Sequence, residues 1–410
     1  MKHHELSDGS ITTPAGFSAA GIATGLKHSG APDLALLVSD APAEAAGAFT
    51  TNQFAAAPVI YDRAQLAAGT PVRAIVVNSG NANACTGSQG LADVRKTAEH
   101  AAHVLGIPPG SVLISSTGRI GIPLPLPTLL NGIEKAAAAL SPEGGEAAAQ
   151  AIMTTDTRPK SLAVHLEVDG QTITIGGMAK GAGMIAPRLR TAPPSATMLA
   201  YLTTDAATDR TFLHDCLKLA LDSSFNRITV DGDTSTNDTV IALANGRKQN
   251  QRLDADHPAA GAFQQAFTHV MSRLAREIVL DAEGITRFVE LCVAGAATDA
   301  EARHCAETIA TSPLCKTAWF GGDPNWGRIL AAAGRAGVAV NADAVTLDYQ
   351  GVPIVRDGMD AGTPENEQSR AIDRRELRID LNLGVGKGTF TVWTCDLSYE
   401  YVKINAEYHT

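Results

Sequence analysis

The stretch from Val72 to Ser115 constrains the fold most strongly. Val72–Val77 is a compact run of β-branched and aliphatic residues and reads as a buried strand. Leu91–Leu105 then carries apolar residues at helical spacing, with Gly106 placed to end the helix, and Val112–Ser115 reads as the next strand. The order strand, helix, strand predicts a mixed α/β architecture.

The same alternation continues along the chain. Leu162–Val168 and Thr172–Ile175 alternate in hydrophobicity around Asp169-Gly170, a dipeptide that supplies the positive φ angles of a tight hairpin turn. Asp209–Ser223 and Ala262–Val279 read as amphipathic helices. Glu376–Asn405 returns to alternating strand patterns, separated by Gly384, Gly386 and Gly388. Ser141–Glu146 and Arg188–Ser195 read as loops. With 410 residues, 45% of them hydrophobic, the chain has enough apolar material for two domains or one large one.

Composition excludes several functions. A net charge of -10 leaves no basic field for a polyanion, so nucleic acid is not an expected partner. No apolar stretch approaches the roughly 20 uninterrupted residues of a spanning helix, and the start of the chain shows no secretory h-region, so the expected location is the cytoplasm. The cysteines at 85, 216, 292, 305, 315 and 395 form no C-x-x-C pair and read as buried, reduced thiols. His3-His4 is an improbable metal site. Asp231, Asp233 and Asp238 fit a capped turn as well as a cation site. Gly384–Thr389 has the composition of a phosphate loop without its spacing, and reads as a turn.

Three segments carry possible chemistry. The segment GGMAKGAGMIAPRLRTAPPSATMLAYLTTDA, from Gly176 to Ala206, brings a Gly-rich, Lys-bearing stretch to Ala196-Thr197-Met198-Leu199. A threonine hydroxyl needs a base beside it, and its own α-amine, released when the preceding peptide bond is cut, can serve. Thr117-Gly118 follows a predicted strand and could offer a hydroxyl and a backbone N–H to an oxyanion, although a lone Thr-Gly more often makes an ordinary turn. Asn78–Cys85 gathers three Asn residues, either as a connector or as donors at a site.

The motifs NSGNANACTG at Asn78, STGRIG at Ser116, IMTTDT at Ile152, AKGAGMIAP at Ala179 and ATML at Ala196 occur in order. They are followed by TVDGDTSTND at Thr229, GDPNWGRI at Gly322 and the terminal INAEYHT. Together they cover essentially the whole chain and resemble the signatures of the ornithine acetyltransferase (glutamate N-acetyltransferase) family.

That resemblance implies an α/β protein of two interpenetrating lobes, with mixed sheets covered by helices, of the DmpA/OAT type. It implies self-cleavage between Ala196 and Thr197 into an α chain, 1–196, and a β chain, 197–410, assembled as an α2β2 heterotetramer. Thr197 is then the nucleophile, and Thr117 and Gly118 stabilise the oxyanion. Substrate contacts fall on one or both of Thr154 and Thr155, and on Lys180, Thr197, Glu283, Asn405 and Thr410. Physical sense agrees with two of these: an α-carboxylate needs a cation such as Lys180, and the ornithine amine an acceptor such as Glu283. The implied reaction passes an acetyl group from N2-acetylornithine through Thr197 to glutamate, without cofactor or metal; acetyl-CoA as a second donor stays open.

One departure stands at the loop to be cut. Arg188–Ser195 is longer than the family's link and contains Thr191, at the separation from Lys180 reserved for the nucleophile, but only the residues after Thr197 continue the family pattern. The competing reading is a self-processing amidohydrolase or aminopeptidase, in which water takes the acyl group. A third is an uncleaved, non-enzymatic relative.

Overall fold

The computed structural model describes residues 3–189 and 198–407. The expected cut at Ala196–Thr197, the decoy Thr191 and the terminal Thr410 lie outside the described residues. The chain forms two compact units, one built from residues up to 226 and from 234–278, the other from 227–233 and the residues after 278.

The first unit holds a nine-stranded mixed sheet. Its strands are β1 (His4–Leu6), β2 (Phe17–Ile22), β3 (Leu34–Phe49), β4 (Val72–Asn81), β5 (Val112–Arg119), β6 (Lys160–Val168), β7 (Gln171–Lys180), β8 (Leu199–Thr204) and β9 (Thr239–Ala244). They lie in the order β1-β6-β7-β8-β9-β3-β4-β5, with β2 also on β3. The predicted strand, helix, strand unit is present: β4 and β5 pair in parallel, joined through the helix Gly87–Leu105. Gly106 ends that helix at φ 64° and returns its amide to the carbonyls of Ala102 and His103.

β3 is long enough to serve three partners, β2 and β4 along its first part and β9 with its last six residues. The register slips between Val38 and Ala43, where Pro42 has no N–H to give the ladder and Ser39 bonds back to the Ala41 carbonyl. The β6–β7 hairpin turns on Asp169 at φ 53° and Gly170 at φ 75°, with Val168 opposite Gln171. One hydrophobic cluster in this unit gathers Leu37, Ile75, Leu113, Met178, Tyr201 and Ile241; a second packs Leu36, Val76 and Ile114 against Val94, Ala98 and Leu129.

The second unit holds a six-stranded sheet. Its strands are β10 (Phe288–Ala296), β11 (Thr346–Tyr349), β12 (Val352–Arg356), β13 (Met359–Asp360), β14 (Glu376–Asn382) and β15 (Gly388–Cys395), in the order β13-β12-β11-β14-β10-β15. Its core packs Leu291, Val293, Ile379 and Leu381 against Cys305, Ile309 and Trp319.

Three expectations need correction. The strand pattern does not run to Asn405: Tyr399–Glu407 is a helix, started where the Ser398 hydroxyl accepts the Tyr401 amide at 3.2 Å. The cysteines are all free, but Cys85 is exposed and Cys292 half-buried. The loop at Ser141 is also shorter than expected, since a helix begins at Gly145. Gly384–Gly386 is the turn expected between β14 and β15. Among the described residues no helix is long and apolar enough to cross a membrane, and no three His, Cys, Asp or Glu residues form a metal cluster.

Candidate active site

β7 ends at Lys180, and the antiparallel register sets Lys180 opposite Leu199, the second residue after Thr197 in the chain. The loop that leads into β6 brings Asp156 to the same end of the sheet. Its carboxylate accepts the Gly181 amide at 2.6 Å, the Lys160 ammonium at 2.7 Å and the Thr154 amide at 3.0 Å, with the Lys180 ammonium at 4.0 Å. Burial alone would raise the Asp156 pKa, but the two ammoniums and these hydrogen bonds outweigh it and hold the carboxyl well below its usual range.

From that anchor Lys180 reaches two hydroxyls. Its Nζ donates to Thr154 Oγ1 at 2.8 Å and to Thr117 Oγ1 at 3.4 Å. Of the Thr154-Thr155 pair, Thr154 is thus the member that joins the cluster. Thr117 accepts from Lys180 and so keeps its own hydroxyl proton for a further acceptor, the role expected of an oxyanion donor.

Thr117 and Gly118 close β5 against β4. Gly118 lies opposite Gly80 and adopts φ 124°; a Cβ there would stand 2.4 Å from the Gly80 carbonyl carbon, so only glycine fits. The Asn78–Cys85 loop is decided as a brace for this end of the sheet. Ser116 donates to Asn78 at 2.6 Å, and Asn81 Nδ2 spans the carbonyls of Ile122 and Pro123. Asn237 ties the carbonyls of Ala82 and Ser116 to the start of β9 at 2.6 and 2.8 Å.

In the sequence Asp238, with Asp231 and Asp233, fits a capped turn as well as a cation site. Asp231 suits the turn, since its carboxylate accepts the Asp233 amide. Asp238 does not: it is fully buried beside β8, and neither carboxyl oxygen has a hydrogen-bond partner among the described residues. Burial pushes its pKa up, with the Lys180 charge acting the other way. No spacing rule exposes such a residue, because its isolation is a tertiary property.

In the second unit Glu283 and Asn405 meet directly, Asn405 Nδ2 donating to Glu283 Oε2 at 2.7 Å. Gly284 makes this contact possible: at φ 66°, a Cβ would sit 2.6 Å from the Tyr401 amide nitrogen. Tyr401 in turn donates to Asp231 at 3.2 Å.

The model of the ArgJ family matches residues 18–410. The chain belongs to the ArgJ family. It is similar over its whole length to the arginine biosynthesis bifunctional protein ArgJ of Thermosynechococcus vestitus, at 48% identity with both chains fully covered. The protein of the same name from Symbiobacterium thermophilum is also 48% identical, over 98% of this chain and 99% of that one. Among solved structures, the ornithine acetyltransferase of Mycobacterium tuberculosis, complexed with ornithine, is 46% identical over 46% of this chain and 100% of that chain, with a TM-score of 0.44. As a member of the ArgJ family, the chain is an acetyltransferase enzyme of arginine biosynthesis.

Proposed function

We propose that this enzyme transfers acetyl from N2-acetyl-L-ornithine to L-glutamate, giving L-ornithine and N-acetyl-L-glutamate, after cutting itself between Ala196 and Thr197. The Lys180–Thr117 contact at 3.4 Å, at the sheet end where β8 begins two residues after Thr197 in the sequence, is the observation that carries the reading. Thr197 Oγ attacks the acetyl carbonyl while its α-amine takes the hydroxyl proton. The tetrahedral oxyanion is held by the Thr117 hydroxyl and the Gly118 amide; the amine of ornithine leaves with a proton, and the acetyl-threonine ester is taken by the α-amine of glutamate.

Lys180 and Thr154 serve the substrate side of this site, and the resemblance to the family adds Glu283, Asn405, Thr197 and Thr410 to the substrate contacts. The products of self-cleavage are an α chain, 1–196, and a β chain, 197–410, in an α2β2 heterotetramer working in the cytoplasm. Its relatives are named bifunctional, which supports a second activity; acetyl transfer from acetyl-CoA to glutamate is the one the resemblance leaves open. Supplying acetylornithine and glutamate together tests the reaction: acetylglutamate is expected. Free acetate as the only product would establish the hydrolase reading instead.

A further inference from the structure

Lys180 does not complete the charge account of the substrate. Its ammonium already faces the Asp156 carboxylate and two hydroxyls. The donor acetylornithine, its product ornithine and the acceptor glutamate share one group near the reacting nitrogen, an α-carboxylate. That carboxylate needs a cation of its own.

Lys27 has the right properties. It is half-buried, and burial lowers its pKa, with the Lys180 charge adding to the depression while Asp33 and Asp156 oppose it. Its Nζ donates to the Pro32 carbonyl at 2.6 Å, and among the described residues no carboxylate stands within salt-bridge distance of it. The nearest candidate in sequence, Asp33, is committed elsewhere: its two oxygens accept the amides of Thr24, Gly25, Leu26 and Lys27 and the Thr24 hydroxyl. These bonds hold the loop in one shape. A half-buried cation without a direct ion pair is costly to keep, and part of that cost is recovered when an anion binds.

The backbone sets Lys27 beside the oxyanion pair. A Cβ on Gly80 would lie 3.2 Å from Lys27 Cγ, and Gly80 is the residue packed face to face on Gly118. The stem of Lys27 therefore packs against Gly80, the partner of Gly118 in the sheet.

We propose that Lys27 binds the α-carboxylate of the amino-acid substrates. This rests on the reading of the site as an amino-acid acetyltransferase. Calorimetry on the wild-type enzyme and on Lys27→Met, each titrated with ornithine and with 1,4-diaminobutane, isolates the contact, because the diamine is ornithine without its carboxylate. Loss of one hydrogen bond to a charged group predicts that ornithine binding weakens about tenfold or more while diamine binding is nearly unchanged. Lys27→Arg should recover most of the loss.

A ratio change below about fivefold on that same scale, or equal weakening of both ligands, overturns the proposal. So does failure of the wild type to bind ornithine. Lys27→Gln replaces Lys27→Met if the latter does not fold, and failure of both to fold makes Lys27 a structural residue. Wild-type acetyl transfer is assayed on the same preparation; its absence removes the functional reading but leaves the ornithine-to-diamine ratio to decide on Lys27.

Discussion

The Lys180 ammonium donates to the Thr154 hydroxyl at 2.8 Å and, on its other side, faces the buried Asp156 carboxylate at 4.0 Å. A single lysine thus links a structural ion cluster to the hydroxyls of the candidate site. Substitutions on the two sides of Lys180 should have different consequences.

On the site side, Thr154→Val removes a hydrogen bond to a charged group, worth about 1.5–3 kcal/mol, which corresponds to a fall of roughly tenfold to a hundredfold in kcat/KM for acetylornithine. Thr155→Val should stay within about threefold of wild type on the same scale, since Thr155 is not the partner of Lys180. Steady-state kinetics of both variants checks the assignment. A larger loss at Thr155 than at Thr154 would reverse it.

On the structural side, Asp156→Asn leaves Lys160 and Lys180 as buried ammoniums without their carboxylate. Breaking a buried pair in this way costs about 3–5 kcal/mol, so the thermal midpoint should fall by many degrees. The pH dependence has a definite sign. A carboxyl held below its unfolded value of 3.8 contributes stability that is full above that value and is lost as pH falls toward the lowered folded value. Thermal melts between pH 6 and 3, compared with those of Asp156→Asn, should converge as the solution becomes acidic.

Asp62 behaves in the opposite sense. It is fully buried, and among the described residues it accepts only the Ile114 amide, at 2.8 Å, and leaves Oδ2 without a partner. Burial raises its pKa well above 3.8. The folded state therefore keeps a proton that the unfolded chain has released, and stability declines as pH rises from about 3.8 toward the raised value. Asp62→Asn should flatten that decline, so its melting temperature relative to wild type should improve between pH 4 and 7. An unchanged difference across that range would show that Asp62 does not titrate in it.

Local chemistry made part of this legible in the sequence. Asp169-Gly170 could only turn a hairpin tightly, Gly106 could only end its helix, and Asp209 caps Arg210–Asp222 by accepting the amides of Thr211 and Phe212. Elements decided by distant partners were less visible. Tyr399–Glu407 has the aromatic and β-branched residues of a strand, and only the Ser398 hydroxyl and the close approach of Gly284 reveal a helix start. β1 is three residues long and exists because β6, far along the chain, accepts it. In the site, the motifs marked Lys180, Thr117 and the Thr154-Thr155 pair, but choosing Thr154 required its hydrogen bond from Lys180. Asp156 and Lys27 carried no readable signal, and Asp238 read only as a turn or cation residue, since their roles come from which charges fold around them.

The central claim is the creation of a nucleophile by chain cleavage, and intact-mass measurement of purified wild-type and Thr197→Ala protein tests it most directly. The account predicts two fragments for the wild type, 1–196 and 197–410, and one uncut chain for the variant. A wild-type chain that stays whole, or one divided before Thr191, would contradict it.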